Sequence, residues 1–406
     1  MYRKIAPVLL LNFVNILSFS ILIPILPAIV ENYGSTYFAY GVLLSIFSFA
    51  QFFAAPILGS WSDHIGRRKV LIISQTGTLL SWIIFGLAWF LPDARIGIIS
   101  IPLAVIFLSR ITDGITGGNI TVAAAYVADV VEPEEKTKAF GIFGAMVGIG
   151  FLFGPSIGGI SYGTSITYLG TALVASFISI ITLYLIVAKL PESLPPEKRT
   201  PKFSPHLATD LNIIKRIQKF KFNWQTQKLF IIRVFFALGF NAYTSIIVLF
   251  LYANYPLTPD QVGVVMLIVG IYAFFNQAFL VGKISEKIGE KNTYYFGYIL
   301  LLFALPILTT KMGILTFLVF SYLISLSIDC VMPTFKTLIS NEVKDEEQGE
   351  ALGIDEALGS VGRIISPLIF TLLYANIEDY TFLTISGLLI IPFIIFFFHK
   401  QLLKRH

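Results

Sequence analysis

The sequence has little charge for its length, a single cysteine and few histidines. Only 13% of its 406 residues are Asp, Glu, Lys or Arg, about half of the charged fraction of a soluble globular protein. Cys330 is the only cysteine, which excludes an intramolecular disulfide. The four histidines lie in predicted loops or at span ends, and HExxH, Cys/His-cluster and nucleotide-binding glycine motifs are absent. These absences argue against a metal-dependent, haem or ATP-driven enzyme, and we expect no metal and no cofactor.

Hydrophobic residues dominate what is present. They make up 56% of the chain, about 227 residues, and the mean hydropathy is +0.79. A transmembrane helix needs about 20 apolar residues, so this number supplies roughly a dozen spans. The composition predicts an integral membrane protein surrounded by lipid, and it excludes nucleic-acid-binding, disordered and disulfide-rich classes.

Twelve apolar runs bounded by charges or turn formers are predicted to be transmembrane helices. The first run resembles a signal peptide, but it continues to Val30, contains Pro24 and Pro27 and lacks a small-residue cleavage site, so we expect it in the mature protein. The runs lie near residues 5–30, 38–60, 70–91, 98–129, 138–160, 165–189, 229–253, 261–283, 293–310, 313–339, 350–375 and 380–399.

The long polar stretch at 190–228 divides the runs into two sets of six. The predicted domains are therefore 1–189, a linker at 190–228, and 229–406. From His206 to Phe222, apolar residues share one helix face and lysines and an arginine surround it. This pattern fits either a basic amphipathic helix on the inner leaflet or a solvated linker helix.

The distribution of basic residues predicts the orientation. Most of the 29 lysines and arginines fall on the side that holds both termini, which makes that side cytoplasmic. Arg233 and Lys336 lie within a turn or two of predicted cytoplasmic ends, where snorkelling to water is expected. The exceptions to the bias are Arg95 and Lys311 on the other side, and Arg110, Arg233, Lys336 and Arg363 within spans.

The two halves contain a repeated pattern. The loop after span 2 and the loop after span 8 align with one constant offset, and spans 5 and 11 share glycine and proline positions in the same way. The predicted fold is thus an all-α membrane protein with twelve transmembrane helices in two pseudo-symmetric six-helix bundles. Such halves pack about an axis normal to the membrane and rock around a central site.

The loop GSWSDHIGRRKVL, residues 59–71, resembles the signature loop of the major facilitator superfamily, and the resemblance covers the whole chain. In that family the loop and an acid at the end of span 4 latch the outward-facing state. The alternative is that the basic residues only anchor the loop on the cytoplasmic side. The resemblance implies a gating role for Gly59, Asp63, Gly66, Arg67, Arg68, Asp129 and, in the second half, Glu286.

Span 5 carries a glycine stripe. Gly150, Gly154 and Gly158 recur every four residues on one helix face, which permits close approach of another helix, and Pro155 adds a kink point. The alternative is ordinary small-residue packing. The full spacing resembles the antiporter motif of drug:proton exporters in this superfamily.

Charged residues occur deep in several spans. Arg110 and Asp113 lie near the middle of span 4, where an unpaired charge costs at least about 2.5 kcal/mol. They are three residues apart and can neutralise one another. Asp113 is therefore either a proton carrier or part of a permanent structural pair. The residues expected to couple protons are Asp113, Arg110, Asp329, Glu356 and Arg363.

Uncharged polar residues are candidates for the solute cavity. Several drug exporters have an aspartate nine residues before the first proline of span 1, but this chain has Asn15, which cannot carry a proton. The amide side chains could equally hold helices together. The cavity candidates are Asn15, Asn119, Asn241, Tyr243, Tyr272 and Asn276.

The sequence therefore predicts a secondary active transporter, not an enzyme, in the plasma (inner) membrane. We expect a monomer that moves a small organic solute by alternating access as a proton-coupled efflux antiporter. The alternative is a proton symporter or facilitator for uptake of an organic metabolite, including an anionic one. An unpaired Arg363 facing the cavity would favour that alternative. A further alternative is a regulator or receptor that kept the transporter fold.

Overall fold

A computed structural model describes residues 2–97, 99–132, 135–201, 203, 213–218, 224–344 and 347–402. The helices of the first part are α1 (Tyr2–Ser20), α2 (Leu26–Asn32), α3 (Tyr37–Ile65), α4 (Arg67–Leu87), α5 (Ile101–Gly117), α6 (Ile120–Val130), α7 (Lys136–Tyr162) and α8 (Thr167–Lys189). A two-stranded hairpin, β1 (Arg95–Ile96) with β2 (Ile99–Ser100), precedes α5.

The second part continues in the same way. Its helices are α9 (Ile213–Gln218), α10 (Trp224–Asn254), α11 (Pro259–Phe275), α12 (Val281–Ile288), α13 (Glu290–Ile307), α14 (Ile314–Glu342), α15 (Gln348–Ile377) and α16 (Thr381–Leu402). Short 3₁₀ turns cover Ala88–Phe90, Pro196–Lys198 and Glu378–Tyr380, and a π-helical segment, Asn276–Leu280, joins α11 to α12.

Each of the twelve predicted spans coincides with a helix or a pair of consecutive helices. Span 1 breaks between α1 and α2, where Pro24 cannot donate a backbone hydrogen bond and Pro27 lies in the first turn of α2. Span 4 breaks at Gly118 and Asn119, between α5 and α6. Within the described residues, eight helical stretches are long and apolar enough to cross a membrane. The chain is an all-α membrane protein, as the sequence predicts.

The chain forms two compact units. Unit 1 comprises Met1–Leu211 and Leu257–Leu267, and unit 2 comprises Asn212–Pro256 and Ile268–His406. In unit 1, α1 packs against α7, while α4 packs against both α5 and α8. In unit 2, α10 packs against α15 and α16, and α13 packs against α14. The predicted amphipathic helix lies mostly outside the described residues; α9 is the part that is described.

A buried apolar cluster fixes one end of unit 1. Ile5 and Val8 of α1, Val122 and Val127 of α6 and Ile186 of α8 are fully buried there. Burial of such side chains contributes about 1.5–3 kcal/mol each. The cluster holds the ends of α6 and α8 beside the α3–α4 turn, and this arrangement positions the charged residues described next.

Candidate functional site

A charged cluster surrounds the turn between α3 and α4. Gly66 ends one helix and begins the next at a φ of +105°, a conformation that favours glycine. Arg67 Nη1 lies 2.5 Å from Asp63 Oδ1 and donates to Ser62 Oγ at 2.6 Å. Arg67 Nε lies 3.3 Å from Asp129 Oδ2 at the end of α6. Asp63, Arg67 and Asp129 thus belong to one ion-pair network within unit 1.

The other two gating candidates of this turn lie beside the network. The Gly59 carbonyl accepts a hydrogen bond from Ser62 Oγ at 2.7 Å, so this glycine contributes to the last turn of α3. Arg68 Nη2 donates to the Val187 carbonyl of α8 at 2.7 Å. Arg68 therefore ties α4 to α8 and has no carboxylate partner among the described residues.

The segment of residues 192–200, here called the strap, follows α8 and folds over the α3–α4 turn. Glu192 Oε1 accepts the backbone N–H of Arg67 at 2.8 Å and that of Arg68 at 3.4 Å. A carboxylate at this position satisfies free N–H groups at the start of α4 and complements the helix dipole. A Cβ at Gly66 would overlap the Glu192 carboxylate, so a larger residue there would displace this side chain.

The strap also contacts the acids of the network. Ser193 Oγ donates to Asp129 Oδ2 at 3.0 Å, and the Thr200 N–H donates to the Asp63 carbonyl at 3.0 Å. The Thr200 carbonyl lies 2.8 Å from His64 Nδ1. Sequence reasoning did not find this role, because the stretch is read as a proline-rich linker and its partners lie more than sixty residues away.

The corresponding turn of unit 2 keeps the backbone but not the ion pair. Gly289 has a φ of +80° between α12 and α13, like Gly66. Glu286 occupies the position of Asp63, but Glu290 stands where the first half has Arg67. Glu286 is exposed and has no ion-pair partner within the described part of the chain.

The glycine stripe of α7 lies against α1. Side chains added at Gly150, Gly154 or Gly158 would overlap Ile16, Ser20 or the Ile21 backbone respectively. Ser20 Oγ donates to the Gly150 carbonyl at 2.9 Å across this contact. Pro155 lies inside α7, and its backbone carbonyl lies close to Gly263 of α11. The stripe therefore brings two helices of unit 1 into backbone contact.

Arg110 and Asp113 form a buried pair within α5. Arg110 Nη1 donates to Asp113 Oδ2 at 2.8 Å, and both side chains are only 4% exposed. The guanidinium also stacks over the Phe47 ring, with 4.5 Å between Cζ and the ring centroid, an arrangement that stabilises a buried cation. The pair thus neutralises both charges inside unit 1.

Asp329 is a buried acid with a different environment. Asn276 Nδ2 donates to Asp329 Oδ2 at 3.0 Å, and Gln277 Nε2 donates to Oδ1 at 2.9 Å. Ser325 Oγ adds a third hydrogen bond to Oδ2 at 3.1 Å. Consecutive residues of an α-helix point about 100° apart; the wider π-helical turn that begins at Asn276 lets both amides reach one carboxylate. No lysine or arginine of the described residues pairs with Asp329.

Two ion pairs follow each other along α15. Arg233 Nε of α10 lies 2.8 Å from Asp355 Oδ1, and the side chains are 6% and 2% exposed. Arg233 therefore does not snorkel, and that prediction is wrong: its partner on α15 keeps it inside the bundle. Arg363 Nη2 donates to Glu356 Oε1 at 2.9 Å, but this second pair is accessible, with exposures of 34% and 57%. Lys336 of α14 is exposed.

The amide candidates for the cavity mostly contact protein groups. Asn15 Nδ2 donates to Asn119 Oδ1 at 2.6 Å, and both side chains are buried, which favours the helix-packing alternative for this pair. Asn241 Nδ2 donates to the Ala237 carbonyl of its own helix.

The two tyrosine candidates for the cavity lie in unit 2. Tyr243 lines a small apolar crevice of this unit with Phe240. In the same unit, Tyr272 packs edge-on against the Tyr322 ring.

An acid outside the spans, Asp379, connects helix ends at one end of unit 2. Asp379 lies in the 3₁₀ turn between α15 and α16 and accepts hydrogen bonds from Asn254 Nδ2 at 3.0 Å and Tyr374 Oη at 3.1 Å. Burial raises the pKa of Asp379 above its ordinary value of 3.8, although both hydrogen bonds and Lys311 act in the opposite direction. Asp379 thus joins the ends of α10 and α15.

The comparison with family models decides the assignment. The model of the Major Facilitator Superfamily matches residues 8–367 and, in a second match, residues 229–405. The chain belongs to the Major Facilitator Superfamily. The superfamily model covers both halves and the α3–α4 turn, so the chain is a multi-pass membrane transporter and not an enzyme.

Individual superfamily members agree with this assignment. The chain is 29% identical over 391 residues to multidrug resistance protein 2 of Bacillus subtilis (strain 168), covering 96% of this chain and 93% of that protein. It is 28% identical over 369 residues to the class C tetracycline resistance protein of Escherichia coli, covering 87% and 85%. A bacterial homologue of the human lysosomal transporter Spinster, solved inward-facing and unoccupied, has the same fold with a TM-score of 0.78, 12% identity and coverage of 98% and 97%.

Proposed function

We propose that this transporter exports a small organic solute in exchange for protons, and that Asp329 carries the coupled proton. The observation that carries the proposal is the contrast between Asp329 and the other acids deep in the spans. Asp113, Asp355 and Glu356 each pair with an arginine. Asp329 accepts hydrogen bonds from neutral groups alone among the described residues.

The physical argument concerns the cost of a buried charge. An ionised carboxylate in a low-dielectric site is expensive unless a counter-ion or enough hydrogen bonds compensate it. Three neutral donors compensate the negative charge of Asp329 only in part. Exclusion of water from the site therefore favours binding of a proton by this carboxylate, and entry of water favours its release. In the other acids an arginine partner compensates the negative charge, so burial favours a bound proton less strongly there than at Asp329.

Access to Asp329 is provided by Gln277. The Asp329 side chain is buried, with 5% of the residue exposed, whereas Gln277 is exposed and donates directly to the carboxylate. Rotation of this amide would therefore open the Asp329 carboxylate to the surface on which Gln277 lies. The π-helical segment that holds Gln277 is a type of helix defect that recurs at functional sites.

The direction of transport is supported by the relatives. Similar proteins are named for resistance to several drugs and to tetracycline, and resistance by a transporter is consistent with export. The network of Asp63, Arg67 and Asp129 supplies the latch for one state of an alternating-access cycle. Arg363 is paired with Glu356, so it is not the unpaired arginine that would favour the uptake alternative. We further propose cytoplasmic termini and a monomer.

The test uses vesicles containing the full-length protein and a trapped pH dye, challenged from outside with cationic, neutral and anionic compounds. We expect internal alkalinisation when a substrate is added, since protons leave as the substrate enters. Asp329→Asn should abolish this signal, and Asp93→Asn in an exposed loop should not change it. Internal acidification would contradict export by antiport. Unchanged proton movement in Asp329→Asn would remove Asp329 from the mechanism and direct attention to Asp113.

A further inference from the structure

Helix α15 exposes two opposite faces of different chemistry. Glu356, Ser360 and Arg363 fall within about 60° of one another at 3.6 residues per turn. Ile365, Ile369 and Leu372 are exposed about 180° away. One face therefore carries a polar stripe, Glu356–Ser360–Arg363, and the other carries an apolar stripe.

The depth of the polar stripe shows which face meets water. Glu356 lies eight residues from the start of α15 and Arg363 fifteen, hence about 12 Å and 22 Å along the helix axis. Exposed charges at such depth face a water-filled path and not lipid tails, because lipid contact would be too costly. The apolar stripe is then the lipid-facing side of the same helix.

Arg363 retains hydrogen-bonding capacity. Its Nη2 serves both Glu356 Oε1 at 2.9 Å and Ser360 Oγ at 2.7 Å. Within the described residues, Nε and Nη1 have no hydrogen-bond partner, so three N–H groups of the guanidinium remain free. The other arginines of the spans are not available in this way: Arg110 and Arg233 are buried, with 3% and 5% of each residue exposed.

The accessible charges nearby are positive in sum. Lys336 on α14 is exposed and close enough to act electrostatically on Glu356. Arg363 and Lys336 carry two positive charges and Glu356 one negative charge, which leaves one net positive charge. The charges of the buried pair Asp355 and Arg233 cancel each other. A guanidinium in a net positive environment matches an oxyanion, which can accept hydrogen bonds from its free N–H groups.

We propose that the polar stripe binds the oxyanion of the transported solute, a carboxylate, enolate or phenolate, through the free N–H groups of Arg363. This inference rests on the proposed transport function and names its substrate class. Glu356 is the internal competitor: it holds Arg363 when no solute is present, and the incoming oxyanion weakens that pair. Ser360 keeps the guanidinium oriented on the water-facing side.

The experiment measures binding alone, on the purified full-length protein in detergent with no proton gradient. The probes are 1-naphthoate, 1-naphthamide and 1-naphthylmethylamine, which share a ring system and differ in charge. We expect 1-naphthoate to bind at least tenfold more tightly than the other two. Arg363→Gln should weaken its binding about tenfold or more, and Arg363→Lys should be intermediate. Arg95→Gln, at the β1–β2 hairpin, is the charge-matched control and should bind like the wild type.

The variant Glu356→Gln distinguishes anion binding from cation binding. Removal of the competing carboxylate should tighten 1-naphthoate binding severalfold. Preferred binding of the amine, with its loss in Glu356→Gln, would show that the stripe accepts a cation and would overturn the proposal, as would failure of 1-naphthoate to bind. Asp329→Asn should still bind 1-naphthoate. Failure of proton exchange with intact, Arg363-dependent binding would refute the transport mechanism but not the site.

Discussion

Arg233 of α10 and Asp355 of α15 form an ion pair, with 2.8 Å between Nε and Oδ1, that is almost completely buried. Arg233 Nε also donates to the Asp355 carbonyl at 3.3 Å, so the arginine binds both the side chain and the backbone of its partner. The pair lies where Gly359 leaves space for the guanidinium. It thus joins the two helices of unit 2 that pack most extensively.

The first prediction concerns removal of one partner of this pair. Arg233→Gln should lower the free energy of unfolding by about 3–5 kcal/mol, because Asp355 would remain buried without a counter-ion. The double variant Arg233→Met with Asp355→Leu should recover most of the loss, since no charge is left unpaired. Tryptophan fluorescence during denaturant titration in detergent measures both effects.

Arg363→Gln, in the accessible pair, serves as the control for this prediction, with an expected change in the free energy of unfolding of about 0–1 kcal/mol. An equal loss in the single and double variants would show that packing, not charge, is responsible.

The difference between these pairs shows what the sequence could and could not predict. Hydropathy located the spans because apolar length is a local property, and Arg110 with Asp113 could be matched because three residues of helix bring side chains together. Arg233 and Asp355 are 122 residues apart, so only helix rotation and register unite them. The π-helical turn at Asn276 and the strap have no local signature either. The sequence therefore identified Asp329 as a candidate but not its neutral partners.

The second prediction concerns the contact between α1 and α7. Gly158→Ala should lower stability by about 1–3 kcal/mol, because its methyl group would overlap the Ile21 backbone and force the helices apart. Thermal unfolding in detergent gives the comparison. Gly148→Ala on the same helix is the matched control: a Cβ there meets no atom within 4 Å, so this substitution should be neutral or stabilising, by up to about 1 kcal/mol. Similar effects of both substitutions would indicate that helix propensity, not close approach, determines the requirement for glycine.

The third prediction concerns the strap. Glu192→Gln should loosen the α3–α4 turn, because the carboxylate that accepts the Arg67 and Arg68 N–H groups loses its charge. We expect faster proteolysis within residues 192–200 and slower transport at unchanged solute affinity. Glu197→Gln, an exposed position of the same segment, should alter neither quantity. A loss of solute affinity without faster cleavage would place Glu192 in a binding role and contradict the positioning role.

The fourth prediction concerns pH and Asp379. Because burial raises the pKa of this carboxyl in the folded protein, the folded state binds its proton more tightly than the unfolded state does. Stability from this group is therefore fully present below the unfolded pKa and is lost as pH rises through the folded pKa. Asp379→Asn keeps an acceptor for Asn254 and Tyr374 and removes that loss. The variant should gain in melting temperature relative to wild type as pH increases from about 4 to 7, while Asp93→Asn controls for the loss of one negative charge. A relative gain toward low pH would show that the hydrogen bonds from Asn254 and Tyr374 outweigh burial and hold the Asp379 pKa below its ordinary value.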